Sequence, residues 1–318
     1  MEKVDKIEKI DKSRFEWVGT NAFESERISR PSTSYWKDAM KRLSKNKAAM
    51  ISLFVIVLIL LLAVIVPIVS PYTISEQHYS HTNEPMGYRD PVDGHIHIFG
   101  TDKLGRDIFT RVWSGARISL LISFTAVFVN VIIGIIYGGI SGYVGGAVDN
   151  IMMRIIEIIN GIPYLIIVIL LMMVMEPGVK TMIIAYAAVG WTGMARLVRG
   201  QIMSLKQQDY VIAAKVMGAR PGRIIFKHLI PNTLSVVIVN ITLAIPSAIF
   251  TEAFLSYIGL GVQIPLASWG TLANDGSKIF QQYPSQLAIP AICISLTMLS
   301  FNLLGDGLRD SLDPKLRR

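Results

Sequence analysis

Four histidines that could bind a divalent metal lie close together, in a polar stretch between two apolar blocks. They are His78, His81, His95 and His97. A His-x-His pair is a recognised ligand pattern for divalent cations. No cysteine and no cluster of carboxylates accompanies these histidines, and four histidines in one loop are more often exposed polar residues. We therefore predict no resident metal, and we keep handling of nickel or another metal as an alternative.

The sequence lacks the residue patterns of enzymatic chemistry. It contains no G-x-S-x-G nucleophile motif, no H-E-x-x-H zinc motif and no pair of aspartates inside an apolar block. It also contains no G-x-x-x-x-G-K-[ST] loop that would hold the phosphates of a nucleotide. We predict that the chain is not an enzyme and binds no cofactor, so that any ATP hydrolysis takes place on another chain.

The apolar residues that must position these polar segments occur in long blocks. The 318-residue chain is 52% hydrophobic and 17% charged, and its mean hydropathy is +0.47. A helix of about 20 apolar residues crosses the hydrocarbon core of a bilayer. Six blocks predict six spans, at about residues 49–69, 118–140, 155–175, 181–197, 234–254 and 287–304. The single cysteine, Cys293, lies inside the last block and is predicted to pack as a small apolar residue.

The distribution of charge predicts the orientation in the membrane. Most of the 31 lysines and arginines lie in the N-terminal tail, in the segment between the fourth and fifth blocks and in the C-terminal tail. Positive residues are retained on the cytoplasmic side, so both termini are predicted to be cytoplasmic. The net charge of +8 is then a topology signal and predicts no binding of nucleic acid. Within the blocks, the carboxylates Glu157 and Glu252 lie near block ends, which argues against an ion-coupled carrier.

Four glycines recur at intervals of four residues along the second block and just beyond it, at Gly134, Gly138, Gly142 and Gly146. On a helix this spacing makes a smooth stripe against which a second helix can pack closely. The alternative is a flexible, glycine-rich exit from the membrane. We predict the packing stripe because an exact repeat over four glycines is unusual for a linker.

The segment between the fourth and fifth blocks predicts two short helices. Asp209 is a good N-cap, and residues 210–217 give about two turns that contain Ala213 and Ala214. Gly218 stands where a helix ends with a left-handed residue.

The second short helix is predicted to have Pro221 in its first turn and to meet the next span at Pro231. Two short helices attached to spans at both ends would act as a lever for a cytoplasmic partner. The alternative is a helix that lies on lipid headgroups.

This segment resembles a known motif. Ala213 and Ala214, followed after three residues by Gly218 and after twelve more by Pro231, are similar to the EAA loop of binding-protein-dependent ABC importers. The chain departs from that motif at Ile212, where the family has glutamate. The resemblance implies that the loop docks into an ATPase subunit.

Three further segments narrow the resemblance to the C-type permease subunit of oligopeptide and dipeptide importers. They are residues 99–107, residues 252–261 together with 268–270, and residues 301–315. The resemblance covers residues from about 35 to 318. It implies an all-α membrane protein with six transmembrane helices in the type I ABC importer permease architecture. It also implies that the chain is half of a pathway for oligopeptides, with dipeptides or a metal as the alternative substrates.

The partners implied by the resemblance are a homologous second permease, two ATP-binding subunits that carry ATP and Mg, and an extracytoplasmic peptide-binding protein. The peptide substrate and membrane lipid complete the set. The predicted organisation is a cytoplasmic tail (1–47), a first transmembrane helix (48–70), an extracytoplasmic loop (71–116), a permease core (117–306) that includes a cytoplasmic coupling loop (199–231), and a cytoplasmic tail (307–318).

Charged residues before the second block predict a feature at the outer mouth of the pathway. Asp102, Arg106 and Asp107, with Arg111, place opposite charges in a short segment, and Glu252 belongs to the motif after the fifth block. An ion-paired cap and a solvated loop both fit this pattern.

Two further predictions concern the outer loop and the C-terminal tail. Gly259, Gly261 and Pro265 predict a bent outer loop without a strand. The alternating charges of the tail predict an exposed helix end, at Asp306, Arg309, Asp310, Asp313, Lys315 and Arg317.

Polar residues of the fifth block are candidates to line the pathway. They are Asn240, Thr242, Ser247 and Thr251. Hydrogen bonds between helices are the alternative role for such residues. A membrane enzyme, a receptor and a purely structural membrane subunit are rival functions. None of them explains the outer motifs and the cytoplasmic segment together.

Overall fold

The computed structural model describes residues 35–91 and 94–312. The chain divides into two compact units, Met1–Asp38 and Ala39–Arg318. Helix α1 (Tyr35–Leu43) contains the described residues of the first unit and the first residues of the second. The rest of the tail, residues 1–34, lies outside the described residues.

The second unit is built from helices and a single short hairpin among its described residues. The remaining helices are α2 (Lys47–Val69), α3 (Ile108–Val144), α4 (Gly146–Gly161), α5 (Tyr164–Met175), α6 (Val179–Val189), α7 (Trp191–Leu205), α8 (Asp209–Val216), α9 (Pro221–Arg223), α10 (Ile230–Tyr257), α11 (Trp269–Ser277) and α12 (Ser285–Leu312). A π-helical turn, Ile224–Leu229, joins α9 to α10. Strands β1 (Tyr88–Arg89) and β2 (Ile96–His97) pair antiparallel.

The described residues contain five helical spans that are long and apolar enough to cross a membrane. They are Lys47–Val69, Ile108–Val144, Val179–Leu205, Pro221–Tyr257 and Ser285–Leu312. A sixth is present if the bent pair α4 and α5 counts as one span. The predicted all-α membrane fold with six spans is thus confirmed, with the third span broken.

The break in the third span comes from its sequence. Helices α4 and α5 meet at 79° across the short segment that contains Pro163. Proline has no backbone N–H and disfavours a helical conformation in the residue before it, so a continuous helix ends there. Helix α5 has 12 residues, about 18 Å at the rise of an α-helix, and is too short to cross the membrane alone.

Helix α3 is longer than predicted and changes the boundary of the outer loop. It has 37 residues, about 55 Å, and begins at Ile108 within the segment predicted as loop 71–116. The side chain of Asp107 caps it by accepting a hydrogen bond from the backbone N–H of Thr110 at 2.7 Å. Because Arg111 and Arg117 interrupt the apolar residues of the first turns, the sequence placed the start of this helix too late.

The C-terminal helix also extends beyond its predicted end. Helix α12 continues to Leu312, through the first half of the segment predicted as tail 307–318. Asp306, Arg309 and Asp310 are exposed on it, as predicted for an exposed helix end. Asp313, Lys315 and Arg317 lie outside the described residues.

The largest apolar cluster joins α2, α3, α10, α11 and α12. It includes Val112, Ile249 and Trp269, which are fully or almost fully buried. Cys293 packs half-buried against this cluster, as predicted. Helix α3 packs along α7 and α10, and α12 packs along α2 and α10. This packing sets the positions of the segments at the two ends of the bundle.

Candidate coupling, packing and pathway sites

Helix α8 forms the first half of the cytoplasmic segment singled out by the sequence. Asp209 is the first residue of the helix, and Gln208 holds the N-cap position without a side-chain hydrogen bond. The prediction that Asp209 is the N-cap is therefore wrong by one residue. A carboxylate in the first helical turn still interacts favourably with the helix dipole, which explains why the local sequence favours a helix there.

The predicted end of α8 at Gly218 is confirmed. Gly218 has a φ of +79°, a left-handed conformation in which glycine is favoured. Its N–H donates to the carbonyl of Lys215 at 2.9 Å, and the N–H of Ala219 donates to the carbonyl of Ala214 at 3.0 Å. These two bonds make a Schellman motif, which reverses the chain directly after the helix.

The two faces of α8 differ sharply. Val211 and Ala214 are buried, and Val211 packs in an apolar cluster with residues of α7, the π-helical turn and α10. Ile212, Val216 and Met217 are 48%, 84% and 80% exposed. Ala213, the first alanine of the motif, also lies on the exposed face. The segment thus presents a small apolar surface that no described residue covers, while its other face is fixed to the bundle.

The second half of the segment is one continuous helical path into the membrane. Pro221 occupies the first turn of α9, as predicted. The predicted junction at Pro231 agrees with the start of α10 at Ile230, although no break separates the two helical pieces and the span runs over Pro221–Tyr257. The π-helical turn just before Pro231 widens the backbone, which accommodates a proline that cannot donate a hydrogen bond to the preceding turn.

The apolar face of this half is also buried. Ile224, Ile225 and Leu229 are 1%, 7% and 0% exposed. Phe226 is the exception at 59%, and it adds to the exposed apolar surface of the segment. The predicted separate second helix is therefore the first part of the fifth span, and α8 is attached to that span through an apolar contact.

Three of the four predicted stripe glycines pack against α7. A Cβ atom at Gly134 would lie 2.6 Å from the Cβ of Met194, and one at Gly142 would lie 2.7 Å from the carbonyl oxygen of Arg199. A Cβ atom at Gly138 would collide with the backbone of Ala195. The stripe is therefore a close helix contact, and α7 is the partner that the sequence did not identify.

The fourth glycine of the stripe was predicted wrongly. Gly146 lies beyond the end of α3 with a φ of +58°, and nothing lies within 4 Å of the position of its Cβ atom. Gly145 before it also has a positive φ, of +71°. Two successive left-handed glycines turn the chain between α3 and α4, so the regular spacing of the sequence does not continue as one helical face.

A polar cluster at the C-terminal ends of α3 and α7 was missed by sequence reasoning. The carboxylate of Asp149 accepts two hydrogen bonds from the guanidinium of Arg199, at 2.5 and 2.6 Å, and one from Ser141 at 2.5 Å. The ammonium of Lys206 donates to the carbonyl of Gly142 at 2.8 Å. Asp149 and Arg199 are 50 residues apart in sequence, so only the packing of α3, α4 and α7 brings them together.

The charged residues predicted at the outer mouth form a buried network. Asp102, Arg106 and Arg111 are 9%, 4% and 4% exposed. The Nε of Arg106 donates to Asp102 at 2.7 Å, and the Nε of Arg111 lies 3.5 Å from the same carboxylate oxygen. The structure thus decides between the two alternatives in favour of an ion-paired cap, because a solvated loop would leave these side chains exposed.

Asp107 connects this network to the hairpin. Its carboxylate caps α3 and also lies 2.8 Å from Nδ1 of His97, which is fully buried. The ring of His97 stacks on Tyr72 with a centroid distance of 4.3 Å. Histidine at this position was considered as a metal ligand, whereas its contacts are structural. The described residues contain no group of three or more His, Cys, Asp or Glu side chains arranged to hold a metal ion.

The remaining histidines of the outer loop have similar polar contacts. His81 Nδ1 lies 2.8 Å from the hydroxyl of Tyr88, and His78 lies 3.3 Å from Glu76. Desolvation, followed by the nearby carboxylates of Glu84 and Asp90, raises the pKa of the Tyr88 phenol. A phenol is protonated at neutral pH even at its ordinary pKa of about 10, so the hydroxyl of Tyr88 can donate a hydrogen bond to His81.

Glu252 does not join the charged network at the outer end. It is 2% exposed near the end of α10, where Ser256 donates to its carboxylate at 2.8 Å. Ser119 of α3 and Ser268 at the start of α11 also face this carboxyl group. Trp269 secures α11 to α3 by donating from its indole Nε1 to the carbonyl of Val112 at 3.1 Å. Glu252 therefore belongs to the serine-lined junction of three helices.

The outer loop after α10 has the predicted bends. Gly259 has a φ of +88°, and Gly261 packs directly against Ser256. The peptide bond between Ile264 and Pro265 is cis. No strand forms between α10 and α11, as the glycines and the proline predicted.

The candidate pathway residues divide between two faces of α10. Asn240, Ser247 and Thr251 fall on one face by helical spacing, and each is half-buried or exposed. Thr242 lies on the opposite face, is 7% exposed and donates to the carbonyl of Ile238 at 3.0 Å. Because Thr242 is enclosed by neighbouring helices within this chain, it is the weakest candidate of the four.

Comparison with family models gives two matches that together cover most of the chain. Residues 108–318 match the family described as the binding-protein-dependent transport system inner membrane component. Residues 34–85 match the N-terminal TM domain of oligopeptide transport permease C.

Curated relatives are similar over nearly the full length. The chain is 50% identical over 312 residues to the oligopeptide transport system permease protein OppC of Bacillus subtilis (strain 168), covering 98% of this chain and 100% of the relative. It is 52% identical over 296 residues to the dipeptide transport system permease protein DppC of the same organism, covering 93% and 90%. It is 44% identical over 293 residues to OppC of Escherichia coli (strain K12), covering 92% and 95%.

Proposed function

Because this chain belongs to the family of inner membrane components of binding-protein-dependent transport systems, we propose that it forms half of the pathway of an ATP-driven oligopeptide importer. The observation that carries the proposal is the structure of the cytoplasmic segment formed by α8, α9 and the π-helical turn. Its apolar surface is exposed on one side, and its other side is fixed to a span of 37 residues. Relatives named as oligopeptide permeases support the choice of substrate.

The segment is suited to transmit force from a partner. A push on the exposed side of α8 reaches α7 and α10 through the buried contacts of Val211, and helical structure continues without a break from Pro221 to Tyr257. ATP and Mg would be bound by two partner ATP-binding subunits, whose closure on ATP moves α8. The spans then change the side to which the pathway opens. The exposed side of α8 faces the cytoplasm in this proposal, and both termini lie there too.

The pathway itself requires a second chain. A homologous second permease would complete it against the face of α10 that carries Asn240, Ser247 and Thr251. An extracytoplasmic peptide-binding protein would deliver the peptide to the outer end. The buried network around Asp102 and Asp107 gives this end a rigid surface, which suits repeated docking of a folded partner. Recognition directed at the peptide backbone would tolerate varied side chains.

Dipeptide import is the second candidate, and one observation favours it. The relative named as a dipeptide permease is 52% identical to this chain, a value close to that of the oligopeptide permease of the same organism. Competition between labelled pentapeptide and unlabelled dipeptide, measured as uptake into cells, separates the two. Uptake that a dipeptide blocks at far lower concentration than a pentapeptide would favour dipeptide import.

The test uses Gly218→Asp, with Gly222→Asp as the matched control. Aspartate at Gly218 must adopt a left-handed conformation that glycine holds at φ +79°. Gly222 has an ordinary backbone conformation and nothing within 4 Å of the position of its Cβ atom. Both variants are compared with the original chain for peptide uptake and for recovery of ATP-binding subunits with the tagged chain from gently solubilised membranes.

We expect Gly218→Asp to abolish uptake and to reduce recovery of the ATP-binding subunits at least severalfold, with normal insertion into the membrane. Gly222→Asp is expected to leave both readouts near those of the original chain. Normal uptake by Gly218→Asp would contradict the coupling role. Recovery of the tagged chain without any second permease or ATP-binding subunit would contradict the importer itself.

A further inference from the structure

A groove that the proposed function leaves unused lies between α4 and α7. It encloses about 630 Å³ and is lined by Asn150, Met153, Arg154, Glu157, Arg196 and Arg199. A groove of this size can receive a small organic group rather than a single water molecule. Three guanidinium groups on one groove give it a positive character and raise the question of which anion it takes.

The charges inside the groove are not balanced. Arg199 is paired with the buried carboxylate of Asp149, and Arg154 is paired with Glu157 at 2.7 Å. Arg196 has no carboxylate within 4.0 Å among residues 35–91 and 94–312, and its side chain is exposed. The Arg154–Glu157 pair is itself largely exposed, at 75% and 54%, and is therefore weak enough to be rearranged by a bound anion.

The position of Arg196 along the chain places it at an apolar boundary. It stands one residue before the predicted end of the fourth apolar block, while the helical span continues to Leu205, and the positive residues that follow mark the proposed cytoplasmic side. In a bilayer, lipid phosphate groups lie just outside the hydrocarbon core that an apolar block spans. An arginine side chain near the end of a span normally extends toward them.

Helix α4 adds an apolar surface beside the groove. The groove residues of α4 are spaced as one helical face, whereas Ile151, Ile155 and Ile158 occupy the neighbouring face. Ile151 and Ile158 are each 63% exposed, and Ile155 is 44% exposed. A charged groove next to an exposed strip of isoleucines matches a ligand with an anionic head and an acyl chain. A free anion would make no favourable contact with the apolar strip.

We propose that this groove binds one anionic phospholipid, with the lipid phosphate held by Arg196 and Arg154 and an acyl chain along the isoleucine face of α4. Guanidinium groups bind phosphate through paired, charge-assisted hydrogen bonds. Arg199 is already hydrogen-bonded to Asp149 and would keep that contact when the lipid binds. Its positive charge would add to that of Arg196 and Arg154 at the site. The lipid would lie beside α4, the first half of the broken third span, and would stabilise the packing of α4 on α7. This inference does not depend on peptide transport.

The test measures lipid binding by the full-length chain in detergent, using native mass spectrometry. Phosphatidylglycerol is titrated against the original chain, Arg196→Gln, Arg196→Lys and Arg117→Gln. Arg117 is an exposed arginine of α3 outside the groove and serves as the matched control. We expect Arg196→Gln to weaken binding of one phosphatidylglycerol about tenfold, and Arg196→Lys to restore part of the loss. Arg117→Gln should bind as the original chain does.

Selectivity and competition distinguish the lipid from other anions. Phosphatidylcholine should bind several-fold more weakly to the original chain because its headgroup carries no net negative charge. Equal binding of phosphatidylglycerol by the original chain and Arg196→Gln would overturn the proposal, and so would equal binding of the two lipids. Displacement of the lipid by inorganic phosphate, or by a peptide with a free carboxylate but not by its amide, would also overturn it. Thermal unfolding midpoints of all variants should agree, which excludes misfolding as a cause.

Discussion

The predicted outer and predicted cytoplasmic ends of this molecule use polar and apolar residues in opposite ways. At the predicted outer end, the charged side chains Asp102, Arg106 and Asp107 are buried and paired within the chain. At the predicted cytoplasmic end, the apolar side chains Val216 and Met217 are more than three-quarters exposed. A buried charge network costs free energy when any member is removed, whereas an exposed apolar side chain gains free energy only when a partner covers it. The first end is therefore completed by contacts within this chain, whereas the second presents an apolar surface that no described residue covers.

The largest effect on stability should come from breaking the outer network. Asp102→Ala removes the carboxylate that faces both Arg106 and Arg111, which leaves two buried guanidinium groups without this partner. We expect the free energy of unfolding to fall by about 3–5 kcal/mol. The measurement is thermal or denaturant unfolding of the purified chain in detergent.

A matched control for this change is Glu157→Ala. Glu157 lies 2.7 Å from Arg154, and both side chains are exposed, at 54% and 75%. An exposed ion pair contributes about 0–1 kcal/mol, so the control should unfold almost as the original chain does. Equal losses in the two variants would show that burial does not distinguish the outer network from an ordinary surface pair.

A smaller effect is expected between the two ends, where α3 packs on α7. Gly138→Ala would place a methyl group against the backbone of Ala195, and we expect a loss of about 1–3 kcal/mol in the free energy of unfolding. Gly139, the residue next to Gly138, provides the control. A Cβ atom at Gly139 would lie 3.5 Å from the side chain of Ile225, an ordinary contact, and alanine favours helix over glycine by about 1 kcal/mol.

Gly139→Ala should therefore leave stability unchanged or raise it slightly. The same unfolding experiment measures both variants. A Gly138→Ala chain as stable as Gly139→Ala would refute the close packing of α3 on α7.

The smallest effect on stability is expected at the cytoplasmic end. Val216→Asp changes a side chain that is 84% exposed, so the free energy of unfolding should change by no more than about 0.5 kcal/mol. Recovery of ATP-binding subunits with the tagged chain should nevertheless fall severalfold, because an aspartate is costly to cover with an apolar surface. Full recovery of these subunits by Val216→Asp would show that the exposed apolar surface at the end of α8 is not needed for binding the partner.

Several features were predictable because they depend on residues close together in the chain. The apolar blocks predicted the spans, and Gly218 predicted the turn after α8 through its conformational freedom alone. The glycines at 134, 138 and 142 predicted a close helix contact by their spacing. The partners of these features were not predictable. The local sequence does not indicate that α3 packs on α7. It also does not indicate that Asp149 pairs with Arg199.

The errors at boundaries have a common physical origin. The start of α3 at Ile108 depends on the cap by Asp107, and the end of its glycine stripe depends on two left-handed glycines. The continuity of the helix through Pro231 depends on a π-helical turn that releases the proline from a hydrogen bond it cannot make. Each of these is a local conformation that the apolar pattern does not encode.

The sequence by itself determined that this is an all-helical membrane protein and where the short helix α8 ends, since hydropathy and helix-ending residues act over a few turns of chain. The tertiary structure alone decided which charges are buried. The residues next to Asp102 and Asp107 in the sequence would suit a solvated loop equally well. Only the packing of the hairpin and α3 buries these two carboxylates. Burial depends on contacts between distant segments, and the balance between desolvation and pairing of charges follows from it.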